Sequence, residues 1–397
     1  MIRKTAVFLL LVSLAGCLGG CWSRKEITEI AIVLGTGVDL APDGRIRLTV
    51  QIARPGGFYG GGEGGARGRE PACWVVSAEG KTVEEAARRL AMMVPREIYW
   101  GHCVILVIGE AMALEGTDTI MDFFNRDRQP RETMGVMVSE GEARHFLETC
   151  SYLEKTSAQA AGLLARMKIG FTVQLREFTE MLASKGVQPV ATRVVAREAG
   201  IAAGPTEEKE PEPHRQVEIS GVAVFKEHRL VGWLDDSETR GLLWVKGEIR
   251  RGMITVPSPG EPDKEISIRI RQGSTSVVPR YDGVRPRFEV KVRLEGDMVE
   301  QQSREDLSKP EKIKALENAI AEDVRRRIAA VLEKAQKEYG VDIFGFGDAF
   351  HRRYKKEWRH LKDRWDEEFA RADVSIAAEA HVREIGLSTR RADTMEE

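Results

Sequence analysis

Between Arg45 and Ala53 the residues Ile46, Leu48, Val50 and Ile52 fall on one face, which predicts a half-buried strand. The apolar stretch Glu26–Leu40 precedes it as a second strand, and "APDG" between the two predicts a hairpin turn. "ACWVVSAEG" continues as a strand. The period then changes. Thr82 and Glu85 have capping-box spacing, Val83, Ala86, Ala87 and Leu90 form the inner face of a helix, and Pro95 stops it. "HCVILVIGE" follows as a buried strand. "DTIMDFFNRD" is a helix with Ile120, Phe123 and Phe124 inward, "ETMGVMVSEG" a strand and "EARHFLETC" a short helix. Strands alternating with helices predict a mixed α/β sheet domain. Thr156 to Leu182 has a helical pattern with a break near Gly170.

The stretch 199–216 is rich in Pro, Glu and Gly and is the clearest linker. After it, "VEISGVAVFKEHRLVGWL" predicts two strands around "KEHR". "DDSETRGLLW" predicts a short helix or turn. "EISIRIRQ" and "RFEVKVRLEG" alternate as antiparallel strands with one wet face; in the second, Phe288, Val290, Val292 and Leu294 face in. A long amphipathic helix comes next. Ser308 and Glu311 have capping-box spacing, Ile313, Leu316, Ile320, Val324, Ile328 and Val331 form one stripe, and Gly340 ends it. A second helix aligns Trp358, Leu361, Trp365 and Phe369, and "VSIAAEAHVREIG" is a final strand. The expected fold class is α+β, multi-domain, with largely antiparallel sheets and the long helix in the C-terminal half. The expected division is a signal peptide over 1–20, an N-terminal mixed α/β domain over 21–198, the linker 199–216, a C-terminal α+β domain over 217–391 and a tail over 392–397.

Composition adds little until the N-terminus. The 397 residues are 42% hydrophobic and 31% charged with a net charge of -2, an ordinary globular balance that gives no reason to invoke nucleic acid. Arg3 and Lys4 precede "TAVFLLLVSLAG", an apolar run too short for a bilayer span, which needs about 20 residues. It fits a secretory signal. "LAGC" and "LGGC" then end in Cys17 and Cys21, and each matches the box of a bacterial lipoprotein signal: an aliphatic residue, two small residues and the acceptor thiol. Box chemistry alone favours Cys17. Of the five cysteines, Cys73, Cys103 and Cys150 remain, with neither a disulfide framework nor zinc spacing.

Candidate chemistry is sparse. The seven histidines include no pair at zincin spacing, and Ser139 in "VSEG" lacks the nucleophile elbow. The glycine-rich "PGGFYGGGEGGARGREP" is followed by a strand rather than a helix and has no Lys-Ser/Thr pair, so it reads as a surface loop, not a phosphate cradle. His102 before a buried strand reads as a packing or hydrogen-bonding residue. Glu110 and Asp118 read as helix-start carboxylates, and Asp122 and Asp127 as surface partners of an Arg. Trp358 and Trp365 have core spacing. No catalytic residue, metal site or cofactor is expected, and no ligand-binding residue is identified.

A series of motifs, in order, resembles the Ger(x)C-type spore germination proteins. "GCWSRKEITEIAIVLGTGVD" resembles the start of their mature chains, with a lipid Cys followed by Trp and a strand ending in G-x-x-x-D. "SAEGKTVEEAARRL", "REIYWGHCVILVIGEAMALEGTDTIMDFFNRDRQPR", "GVAVFKEHRLVGWLDDSETRGLLWVKG", "AQKEYGVDIFGFG", Trp358, Trp365 and "HVREIGL" continue the series. The resemblance covers essentially the whole mature chain. It implies a non-enzymatic, lipid-anchored C subunit of a nutrient germinant receptor, on the outer face of the spore inner membrane, with integral-membrane A and B subunits as partners. It also implies Cys21 as the lipidated residue, with Cys17 the alternative, since Cys21 directly precedes Trp22. A solute-binding lipoprotein of a transport system is the competing expectation; it requires two similar lobes around a hinge cleft.

Overall fold

β1 (Ile30–Leu40) and β2 (Ile46–Ala53) form the predicted hairpin, with Val33 opposite Ile52 and Val38 opposite Leu48. This is a computed structural model, which describes Thr5 and residues 26–56, 71–149, 153–168, 170–198, 215–249 and 252–384. The glycine-rich loop, most of the linker, Cys17, Cys21 and Cys150 lie outside the described residues. β3 (Cys73–Gly80) adds antiparallel to β2, and α1 (Val83–Met93) folds back over them. Thr82 caps α1 by accepting from the Glu85 N–H at 3.1 Å. The Glu85 carboxylate accepts from the Lys81 N–H at 2.8 Å, not from Thr82, so only half of the predicted box closes.

β4 (Glu97–Tyr99) runs parallel to the start of β1. β5 (Ile105–Gly109), β6 (Gly135–Ser139) and β7 (Val190–Glu198) then continue the sheet in parallel from β1. Their crossovers carry α2 (Glu110–Glu115), α3 (Asp118–Arg126), α4 (Ala143–Glu148), α5 (Ser157–Met167) and α6 (Leu175–Ala183). β5 is buried along its whole length, as a strand covered on both faces must be. β8 (Arg215–Lys226) and β9 (Arg229–Leu234) add antiparallel beyond β7. Among the described residues the order is β3-β2-β1-β5-β6-β7-β8-β9, with β4 paired to β1. The centre is parallel and both edges are antiparallel.

The sheets do not part where the expected linker lies. β8 and β9 follow the linker in sequence, yet they complete the first sheet, and the chain changes sheet only after Leu234. Alternation shows that a segment is a strand; it does not show which strand it pairs with. α7 (Asp236–Lys246) is a full helix where a short helix or turn was expected. A reciprocal Asp235–Glu238 capping box starts it, and Gly247 ends it.

The second sheet has the order β10-β11-β12-β13, with β10 (Gly252–Pro257), β11 (Glu265–Tyr281), β12 (Pro286–Gln301) and β13 (Asp373–Glu384). Phe288, Val290, Val292 and Leu294 are buried, as their alternation predicts. β13 runs parallel to β12, so the chain crosses over through helices between them. The first is α8 (Pro310–Glu333), extended by a π-helical turn, Lys334–Tyr339, and closed by Gly340 at φ 62°. Leu316, Ile320, Val324, Ile328 and Val331 are buried; Ile313, at the frayed start, is half-buried. The predicted Ser308 cap does not form. Ser308 donates to Asp306 at 2.5 Å, and the helix starts with Pro310 in its first turn. α9 (Phe346–Arg353) precedes the second predicted helix, which is itself broken into α10 (Lys355–Leu361) and α11 (Trp365–Ala370) by a 3-10 turn over Lys362–Arg364. The break does not expose its apolar stripe: Trp358, Leu361, Trp365 and Phe369 are all buried.

The fold is therefore α+β with largely antiparallel sheets and a long helix in the C-terminal half, as expected. One continuous apolar core runs from β1 through β12 and α8 to α11. A smaller core lies on the other face of the first sheet, under α4 and α5.

Candidate functional site

Two buried aspartates organise the turns that hold this architecture together. Asp39 ends the G-x-x-x-D run of β1. Its carboxylate accepts from the N–H of Ala143 at 2.7 Å and of Arg144 at 3.0 Å, so it caps α4 from a neighbouring strand. Burial pushes its pKa up, against the pull of those two N–H groups. Gly109 packs directly on this carboxylate, and a Cβ there would collide with it.

Asp342 is more enclosed. Its carboxylate accepts from the N–H groups of Phe344 (3.0 Å), Gly345 (3.0 Å), Phe346 (3.2 Å) and Gly347 (2.8 Å), and from the Trp365 indole at 2.9 Å. It thus caps α9 and ties it to α11. Burial pushes its pKa up to about 6, while the donors hold it down from rising further.

Around Asp342 the two halves are pinned. The Gln188 N–H donates to the Asp342 carbonyl at 2.6 Å, and the Gln188 side chain reaches Asp366 at 3.2 Å and accepts from the Glu227 N–H at 2.7 Å. Gly347 meets Gly186 backbone to backbone: a Cβ on Gly347 would lie 2.6 Å from the Gly186 Cα. The Tyr339 hydroxyl donates to the Trp233 carbonyl at 2.9 Å and accepts from the Trp233 N–H at 3.1 Å. The π-helical turn of α8 is thereby riveted to β9.

Beside this seam lies a cleft of about 970 Å³. Phe171, Met181, Leu243 and Phe344 give it an apolar floor, and Arg131, Arg166, Arg240, Lys246 and Arg352 line it. Among the described residues none of these cations has a carboxylate ion pair. By contrast, Glu177 caps α6 and Asp348 accepts from Ser184 at 3.2 Å. The cleft thus offers cationic side chains to anionic groups over an apolar floor.

The residues singled out in the sequence scatter. His102 is exposed at the cleft rim with its ring edge-on to Tyr99, not packed inside. Cys103 is a buried thiol bonded to Thr36 and the Ile105 carbonyl, and burial pushes its pKa up to about 12, so it stays protonated and unreactive. Glu110 and Asp118 start α2 and α3. Asp122 pairs with Arg126 at 2.8 Å, while Asp127 instead accepts from the Gln129 N–H. Ser139 is buried against the Gly141 carbonyl. Among the described residues no group of three or more His, Cys, Asp or Glu is placed to hold a metal ion. Asp342 was not singled out by sequence reading; an Asp followed by the glycine-spaced "IFGFG" is the signal that marks such a cap.

The pairing of Asp342 with Trp365 joins two of the family-like motifs, and comparison with known proteins agrees. The family model described as "Spore germination protein N-terminal domain" matches residues 23–196, and "Spore germination B3/ GerAC like, C-terminal" matches residues 220–386. The chain belongs to the Ger(x)C family of spore germination proteins. It is 29% identical over 399 residues to "Spore germination protein KC" of Bacillus subtilis (strain 168), covering 98% of this chain and 97% of that protein. "Spore germination protein B3" of the same organism is 24% identical, covering 94% of each. The crystal structure of the GerBC protein has the same fold, with a TM-score of 0.58 and 20% identity over 88% of this chain and 96% of that one. In this Ger(x)C chain the family models part between 196 and 220, whereas the sheet changes after Leu234.

Proposed function

We propose that this chain is the lipid-anchored C subunit of a spore nutrient germinant receptor, acting with integral-membrane A and B subunits to trigger germination. The observation that carries this reading is the ordered match of both halves to spore germination proteins over nearly the whole chain. Residues 1–20 act as the signal peptide, and Cys21 takes the lipid on the outer face of the spore inner membrane. The absence of a helix able to cross a membrane among the described residues agrees with attachment by lipid. The subunit acts by binding and docking rather than catalysis, in line with the inert Cys103 and the saturated carboxylates. A solute-binding lipoprotein is less well supported, because sheets of nine and four strands sharing one core are not two similar lobes on a hinge. Spores of a strain carrying this as its sole receptor set are expected to lose the nutrient response when the gene is deleted. An undiminished response would overturn the proposal.

A further inference from the structure

One end of the molecule carries exposed apolar residues beside the point where the anchor joins. β1 and β4 are parallel, with Ile30 opposite Glu97, so the residues just before each strand leave the sheet at the same end. On the first chain segment this is Ile27, 72% exposed; on the second they are Met92 and Met93, 84% and 47% exposed. Single exposed apolar residues need no explanation, but three at one end call for a covering surface. Cys21 is six residues before Ile27, a span of at most about 20 Å even when fully extended. A lipid on Cys21 therefore holds this end, and no other, close to the bilayer.

The charges agree. Trp22, Arg24 and Lys25 lie in the joining segment, an interfacial aromatic followed by two cations. Arg96, beside Glu97, has no ion pair among the described residues. Of the acids at this end, Glu26 and Glu29 are held by backbone N–H groups in the helical turn Ile27–Glu29, and Glu97 has its own contact.

We infer that this end rests on an anionic lipid surface, with Ile27, Met92 and Met93 at the headgroup–acyl boundary and Arg96 among the headgroups. β1 then leads away from the membrane. The inference rests on the lipid anchor at Cys21 proposed above. The test uses the full-length lipidated chain in vesicles of phosphatidylglycerol and phosphatidylcholine with brominated acyl chains. A bimane label is placed on Met92→Cys or, for comparison, on Val284→Cys, which is 81% exposed at the turn between β11 and β12 of the other sheet. The parent chain is labelled in parallel. Several-fold stronger quenching at 92 than at 284 is expected. A chain that floats with the vesicles but shows equal, weak quenching at both sites overturns the inference and leaves the anchor standing. A chain that fails to float overturns the anchor, and the inference with it.

Discussion

Asp342 and Trp365 stand 23 residues apart, and their bond closes the turn from which α9 starts. An Asp held at about 6, above its ordinary 3.8, keeps a proton in the folded state that the unfolded chain has released. Between about pH 4 and pH 6 this group's contribution to stability therefore falls as pH rises. In Asp342→Asn the amide cannot accept on both sides, so one of the donors at Gly347 or Trp365 loses its partner. The variant is expected to be less stable than the parent throughout, with the deficit shrinking from pH 4.5 to pH 6.5; denaturant titrations at the two pH values check this, and a constant deficit would count against the assignment. At this scale the sequence was partly legible. Asp39 is the last residue of a motif visible in the chain, and its role as a remote cap needed the fold, because Ala143 lies 104 residues away. The spacing of Cys103 showed only that it belongs to no disulfide framework or zinc set; its burial and its bond to Thr36 needed the fold.

At the scale of elements, period carried most of the information. The alternation of β12 and the stripe of α8 are correctly read because each buries one face against one core. β2 is a strand as expected but not a half-buried one, since Thr49 and Gln51 on its second face are buried too, with Gln51 bonded to the Leu147 carbonyl of α4. Boundaries were less legible. Ser308 and Glu311 have the spacing of a box, yet Asp306 competes for the Ser308 hydroxyl and the helix starts at Pro310, one residue later than that box would place it. The stripe from Trp358 to Phe369 hides one break, since residues of two short helices, α10 and α11, can face one core as well as those of one long helix. The seam between halves was not legible at all, because a glycine pair in contact leaves no periodic trace. Gly347→Ala places its Cβ against the Gly186 Cα and the Trp365 indole nitrogen, both at 2.6 Å, where neither backbone nor a packed ring yields readily. It is expected to cost about 1–3 kcal/mol as overpacking, read as a lowered melting temperature. Unchanged melting would show that the seam is looser than its contacts imply.

For the whole molecule, the family models and the sheets divide the chain differently. Residues 220–234 are matched with the C-terminal family region, yet they form the edge of the first sheet. A shared core and the Tyr339–Trp233 rivet join the two halves across this crossing. The anchor proposed at Cys21 belongs to this scale too, since it would decide where the molecule is held. Cys21→Ala is expected to release the protein from spore membranes while Cys17→Ala does not, and mass spectrometry should find the acylated N-terminal residue to be Cys21; acylated Cys17 would reverse the assignment. The most direct test of the account is what the chain holds on to. Affinity purification of the tagged full chain from detergent-solubilised spore membranes should recover two integral-membrane proteins encoded beside it. Recovery of the chain alone, or with the permease and ATPase of a transporter, would contradict the account.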